Sequence, residues 1–179
     1  MMEKTIDTPR GTVSLRPSRD EDLAAFRELR LEALRDNPAS FGSDYETVRE
    51  NPQAFWVSRL FANSSEGALY FAVHNETLIG MCGIQLGTSP KTRHSATVLG
   101  VFVKPEWQGL HIARGLIEEC IEWGQKHGVK VAKLAVVADN AGAIRCYEGC
   151  GFAAYGLDPK AMCHAGVYFD ELLMSRLIG

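Results

Sequence analysis

The sequence predicts a mixed α/β (α+β) architecture: a sheet of about seven strands flanked by about four helices, in the order βααβββαβαββ. Three observations carry this. Short runs rich in Val, Ile, Leu and Phe recur between turn-forming residues, and the later runs are apolar without alternation, as strands covered on both faces are. Between them lie segments whose apolar residues recur at helical spacing and whose ends carry Pro, Asn or Gly. No repeat, low-complexity stretch or linker interrupts the 179 residues, so 1–179 is expected to be a single domain. At this size roughly 70% of the unfolded surface can be buried.

"TVSLRP", ending at Pro17, alternates and reads as the first strand. "SRDEDLAAFRELRLEALRDNP" reads as a helix. Ser18 or Asp20 is placed to cap it, Leu23, Phe26, Leu29 (or Arg30), Ala33 and Leu34 form its apolar stripe, and Asn37-Pro38 ends it. "ASFGSDYETV" reads as a loop of aromatics, Gly and acids. "NPQAFWVSRLFANS" reads as a second helix, with Pro52 in its first turn and Phe55, Leu60 and Phe61 among its apolar residues. "GALYFAVHN" and "TLIGMCGIQLG", separated by little more than Asn75-Glu76, form a hairpin, and "RHSATVLGVFV" adds a third strand. In "PEWQGLHIARGL" Pro105 stops that strand, Gly109 turns the chain, and a helix begins. Its stripe is Ile112, Leu116, Cys120 and Trp123, and Gly128 ends it. "VKVAKLAVVA" is another buried strand, "NAGAIRCYEGCG" a short helix closed by Gly151, and "FAAYGL" and "VYFDELLMSRLI" the last two strands.

Composition narrows the function classes. A hydrophobic content of 46% and a charged content of 23% are those of an ordinary globular protein, and a net charge of −3 argues against a broad nucleic-acid-binding surface. No apolar run approaches the roughly 20 residues that span a bilayer. The opening "MMEKTIDTPRGT" lacks the apolar core of a signal peptide, so the expectation is a cytoplasmic protein with neither membrane nor nucleic acid as partner. Five cysteines (Cys82, Cys120, Cys146, Cys150, Cys163) form no CxxC pair, and their odd number fits reduced thiols. No His or Cys spacing indicates a zinc site, and no metal is expected.

The chemistry concentrates in residues 98–152. Free amides at a helix start, backed by the macrodipole, form a site for phosphate, and a Gly-containing turn aims several into one concavity. Here the donors are the backbone groups of Gly109 to Arg114. The stretch is neither GxxxxGK[ST] nor GxGxxG, which excludes the two commonest nucleotide loops. Asn140 follows a buried strand, where ligands of open α/β sheets gather, and is also a good N-cap for the next helix. Tyr147, two helical turns on, shares its face.

Val101-Phe102-Val103, Gln108-Gly109-Leu110-His111-Ile112-Ala113, Asn140, Ala143, Tyr147 and Gly151-Phe152 form one long ordered pattern. It resembles the GCN5-related N-acetyltransferase (GNAT) superfamily, and the element order agrees over nearly the whole chain. The resemblance implies the GNAT fold, with a mostly antiparallel twisted sheet, and acyl transfer from acetyl-CoA to a small-molecule or peptide amine. It further implies that the amides of Gln108 to Arg114 hold the CoA pyrophosphate. The edge of Val101, Phe102 and Val103 would pair with the pantetheine amides, Asn140 and Ala143 would border the pantetheine arm, and Tyr147 would protonate the departing thiolate. Homodimers are frequent among such proteins. A non-catalytic acyl-CoA-binding module is the competing reading.

Two departures from the pattern stand out. His111 occupies a position where Gly is usual: either only its backbone serves, or its ring reaches a CoA phosphate, and a positive φ there would carry strain. Many such proteins also carry a Glu near the positions of Thr97 or Leu99, and this chain has none. Other candidate bases are Asp44, Tyr45, Glu46, His94, His164, Asp170 and Glu171. Of these, Tyr45, Glu46, Asp170 and Glu171 are the candidates for contact with the acceptor, with Phe41, Tyr155 and Tyr168 as aromatic neighbours suited to a cationic amine.

Overall fold

Residues 4–179 are described by the computed structural model. They form an eight-stranded sheet and five α-helices, one strand and one helix more than the sequence predicts. The extra strand, β1 (Lys4–Thr8), pairs with β2 (Gly11–Pro17). Thr8 pins the intervening turn: its hydroxyl donates to the Gly11 carbonyl at 2.7 Å and accepts the Arg10 N–H at 3.1 Å. After a 3-10 turn comes α1 (Leu23–Asp36). Neither Ser18 nor Asp20 caps it. Ser18 Oγ donates to the Leu60 carbonyl, and Asp22 instead accepts the Arg19 N–H at 2.8 Å. The extra helix, α2 (Tyr45–Arg49), lies in the predicted loop, where Asp44 caps it by accepting the Thr47 N–H at 2.8 Å. Next is α3 (Gln53–Leu60), beginning directly after Pro52.

The remaining elements follow the predicted order: β3 (Gly67–His74), β4 (Thr77–Leu86), β5 (Ser95–Val103), α4 (Ile112–Lys126), β6 (Val131–Val137), α5 (Ala141–Gly149), β7 (Ala153–His164) and β8 (Val167–Leu177). Across the sheet the order is β1-β2-β3-β4-β5-β6-β8-β7, and every neighbouring pair is antiparallel except β5 with β6. Both faces of the central strands are covered. On one, Phe26, Leu29 and Leu34 of α1 and Trp56 and Leu60 of α3 meet Phe71, Met81 and Phe102. On the other, Leu116, Ile117, Cys120 and Ile121 of α4 meet Leu15, Ile84 and Val98. All five cysteines are free, as expected.

One irregularity positions the site. Pairing of β4 with β5 runs on to Gly80 opposite Val103, and β6 with β8 to Val137 opposite Glu171, yet β5 leaves β6 after Thr97 opposite Lys133. The cause lies in β5: between Leu99 and Phe102, Gly100 and Val101 together face the single residue Cys82. Gly100 takes φ +64°, the left-handed conformation that a bulge of this kind asks of glycine. The bulge bends β5 away, and the β5 backbone beyond Thr97 turns an unpaired edge toward β6.

Candidate active site

The elbow between β5 and α4 closes the head of this opening. Gln108 N–H bonds to the Pro105 carbonyl and Gly115 N–H to the His111 carbonyl, while the six amides from Gly109 to Arg114 find no acceptor among the described residues. Gly109 (φ +75°) and His111 (φ +61°) both take left-handed backbone, curling those amides around the start of the 15-residue α4. Gln108 acts as a brace: its Nε2 donates to the Val103 carbonyl at 3.0 Å, tying elbow to strand.

The strain at His111 is therefore real, on the order of 1–2 kcal/mol for a residue with a Cβ. Burial of Ile112, Leu116, Ile117 and Ile121 outweighs it, at about 1.5–3 kcal/mol for each side chain. His111→Gly is expected to raise stability by up to about 1 kcal/mol, after the entropy of an unfolded glycine is offset. His111→Val, branched at Cβ, is expected to lower it. Urea-unfolding midpoints of the two variants check the pair.

A cleft of about 790 Å³ runs from the elbow along the opened edge of β5 to α5. It is lined by Val101, Phe102, Val103, Gln108, Gly109, His111, Ile112, Ala113, Arg114, Asn140, Ala143 and Tyr147, so the structure brings residues about 45 positions apart in the chain to one cleft. Leu110 is the exception among the predicted residues: its side chain packs against the core, and only its amide is on offer.

Asn140 is a cap and more. Its Oδ1 accepts the Ala143 N–H at 3.1 Å, leaving Nδ2 free toward the cleft. The Tyr147 ring lies edge-on to Phe152, centroids 6.3 Å apart, and its hydroxyl makes no hydrogen bond to a described residue. Burial, with the nearby Cys82, Cys146 and Cys150 thiols, pushes its pKa above the ordinary phenol range, so it stands as a protonated donor.

Sequence reasoning passed over Arg145 and Cys146. Arg145 joins Arg114 and His111 in the wall, which holds no carboxylate although the whole chain is acidic. Cys146 also lines the cleft, where the neighbouring Cys150 thiol and the Arg114 charge lower its pKa.

A second cavity, of about 710 Å³, adjoins the first through Phe41, which lines both. Tyr45, Glu46 and Glu171 line it, with Asp44 and His164. Asp170 does not line it: its Oδ1 accepts the Lys160 N–H at 2.8 Å and holds the bulged β7 against β8. Glu46 is engaged by Arg49 at 3.1 Å, and the Thr47 N–H and hydroxyl hold the Asp44 carboxyl below its ordinary pKa. Glu171 behaves in the opposite sense. Burial, then the Asp158 charge, raises its pKa. His94 lies before the far end of β5, where its carbonyl accepts the Lys130 N–H, and is removed from the site. Tyr155 and Tyr168, expected at the pocket, are 57% and 61% exposed, with the Lys160 ammonium over the Tyr168 ring. Among the described residues no group of three or more His, Cys, Asp or Glu side chains is placed to hold a metal ion, and no helix is long and apolar enough to cross a membrane.

A mixed sheet opened between two parallel strands, with an amide elbow at its head, defines the acetyltransferase class of α/β fold. The chain belongs to the acetyltransferase (GNAT) family, whose model matches residues 24–152. It is 27% identical over 143 residues to an uncharacterised N-acetyltransferase of Methanocaldococcus jannaschii, covering 79% of this chain and 61% of that longer relative. It is 31% identical over 107 residues to the ribosomal protein bS18-alanine N-acetyltransferase of Escherichia coli, covering 59% of this chain and 70% of that one. Its fold matches a GNAT superfamily phosphinothricin acetyltransferase from Sinorhizobium meliloti, solved in complex with acetyl-CoA, at a TM-score of 0.80 and 18% identity, over 93% of this chain and 89% of that one.

Proposed function

We propose that this chain is an acetyl-CoA-dependent N-acetyltransferase that moves the acetyl group to a primary amine directly, within a ternary complex. The observation that carries this reading is the row of six acceptor-less amides at the head of a carboxylate-free cleft. Such a row, beside Arg114 and Arg145, suits a pyrophosphate. The unpaired edge of β5 suits the amides of pantetheine, received as an added strand, with Asn140 Nδ2 as a further donor.

The chemistry follows from what lies at the far end. The amine nitrogen attacks the thioester carbonyl carbon, and as the tetrahedral intermediate collapses the C–S bond breaks, the leaving thiolate takes the Tyr147 proton, and the second proton of the attacking nitrogen passes through water to restore the Tyr147 hydroxyl. The attacking ammonium must first lose a proton. Glu171, with its raised pKa and its place in the adjoining cavity, is the carboxylate best suited to receive it, directly or through water. It stands in for the strand carboxylate missing at Thr97 and Leu99, and so weakens the reading of a non-catalytic acyl-CoA module. Cys146 supports a second route, through an acetyl-cysteine, because its lowered pKa makes thiolate available in the cleft.

Acetyl-CoA is expected to raise the melting temperature of the protein, and no stabilisation would sink both the enzyme and the module readings. Release of CoA with a panel of amines then separates the two. A burst of one CoA per chain without acceptor, lost in Cys146→Ala, would establish the covalent route. Glu171→Gln is expected to lower kcat/KM about 10²-fold. Because a base works ionised, wild-type activity is expected to fall with decreasing pH through a value raised above that of an ordinary glutamate, and that acid limb to disappear in Glu171→Gln.

A further inference from the structure

Beside the cleft, α1 holds a charge that no described residue answers. Arg30, on α1, reaches to the β5 bulge: a Cβ on Gly100 would stand 3.8 Å from Arg30 Nη1. Nη1 is buried with no hydrogen-bond partner, and no ion pair or hydrogen bond to a described residue engages the rest of the head. The carboxylate two residues on, Glu32, is taken by Lys104 at 2.9 Å. Burial, with the nearby Arg59 charge, pulls Arg30 down to about 10. A buried guanidinium without a counter-ion is costly, and a methionine of similar volume in its place would carry no such cost.

Its surroundings say what it awaits. The Phe41 ring lies against the guanidinium at 4.7 Å; Phe41 lines both cavities and Arg30 itself lines neither, so the head stands one side chain behind the wall they share. A guanidinium can stack an aromatic on its face while its N–H edge remains open to a planar anion. The cation is thus held against Phe41, the residue the two cavities share, while Glu171 lines the second of them.

We infer that Arg30 binds an anionic group of the acceptor, so that the acceptor is a small amphoteric compound of the amino-acid class, carrying a carboxylate or phosphonate beside its amine. This inference rests on the acetyltransferase reading, and it changes the expectation drawn from the acidic and aromatic residues of the second cavity. A simple cationic amine would leave Arg30 unpaired, whereas an amphoteric acceptor satisfies both ends.

The test measures CoA release from the acetyl-CoA-loaded enzyme with matched acceptors. L-Alanine is set against L-alaninamide, L-methionine against L-methioninamide, and 2-aminoethylphosphonate against propylamine. The anionic member of at least one pair is expected to be preferred about 10–100-fold in kcat/KM, the range of a hydrogen bond to a charged group. The pair showing the preference tells carboxylate from phosphonate. Arg30→Met is expected to abolish the preference, leave acetyl-CoA affinity unchanged, and raise the melting temperature by about 2–4 °C. A purely structural arginine would lower the melting temperature instead. Arg30→Lys keeps the charge and is expected to retain part of the preference, which decides the matter if the methionine variant does not fold. Equal use of the amides or of propylamine by the wild type overturns the inference while upholding the acetyltransferase reading. Failure of acetyl-CoA to bind overturns both.

Discussion

Tyr147→Phe is expected to lower kcat by about 10²–10⁴-fold and to leave the dissociation constant of acetyl-CoA unchanged. The substitution removes one oxygen and keeps the ring. The edge-on contact with Phe152 is retained, and so is the helix surface that borders the cleft. Because that hydroxyl bonds to no described residue, its loss strands no partner, and the unfolding midpoint is expected to hold within about 0.5 kcal/mol. The lost turnover is then a loss of transition-state stabilisation, about 1.36 kcal/mol per factor of ten. Burial keeps the phenol protonated, so the loss is expected to be uniform from about pH 6 to 9. Steady-state kinetics with a titration of acetyl-CoA binding checks each part. Turnover within about threefold of wild type removes Tyr147 from the acid role and leaves the thiolate to be protonated by water.

Asn140 and Tyr147 were legible because α5 turns a seven-residue spacing into a shared face, and the elbow because Pro105 and Gly109 mark a strand giving way to a helix. The Gly100 bulge was not read from the sequence, although an isolated glycine inside a strand run is its usual mark. What the sequence withholds is the consequence: a bulge opens a cleft only if the neighbouring strand is parallel and leaves it, and that depends on β6 being brought alongside by α4. The acceptor side was harder still. Its walls come from residues 34–46 and 161–171, joined only by the closing of the sheet, so no local spacing links Phe41 to Glu171. Arg30 hid for a different reason. At helical spacing it falls beside Leu29 in the apolar stripe, and nothing in a sequence says whether such an arginine has a counter-ion.

Asp22→Ala is expected to destabilise the fold by about 3–5 kcal/mol, the cost of removing one partner from a buried ion pair. Asp22 is 6% exposed and receives three bonds: both Arg16 Nη atoms at 2.7 Å and the Arg19 N–H at 2.8 Å. The pair ties β2 to the start of α1, the helix that carries Arg30 and leads to the Asn37 edge of the cleft. Alanine leaves the Arg16 guanidinium without this carboxylate, only part of its hydrogen bonding being kept at the Pro17 carbonyl, and the helix start loses its acceptor. Burial alone would raise the Asp22 pKa, but the bonds from Arg16 and Arg19 outweigh it and hold the carboxyl below its ordinary value. A carboxyl whose folded pKa is depressed contributes its stability above the unfolded pKa, about 3.9, and loses it as pH falls through the lower folded value. Wild type is therefore expected to lose stability below about pH 4 through this group, and Asp22→Asn to lack that part of the acid limb. Urea unfolding of both across pH 2.5–7 reads the difference directly. The double replacement Arg16→Met with Asp22→Leu is expected to recover most of the stability lost in Asp22→Ala, because it removes the buried charge together with its partner. If the double variant is as unstable as the single one, the loss belongs to the packing of the α1 start, not to the loss of the carboxylate beside Arg16.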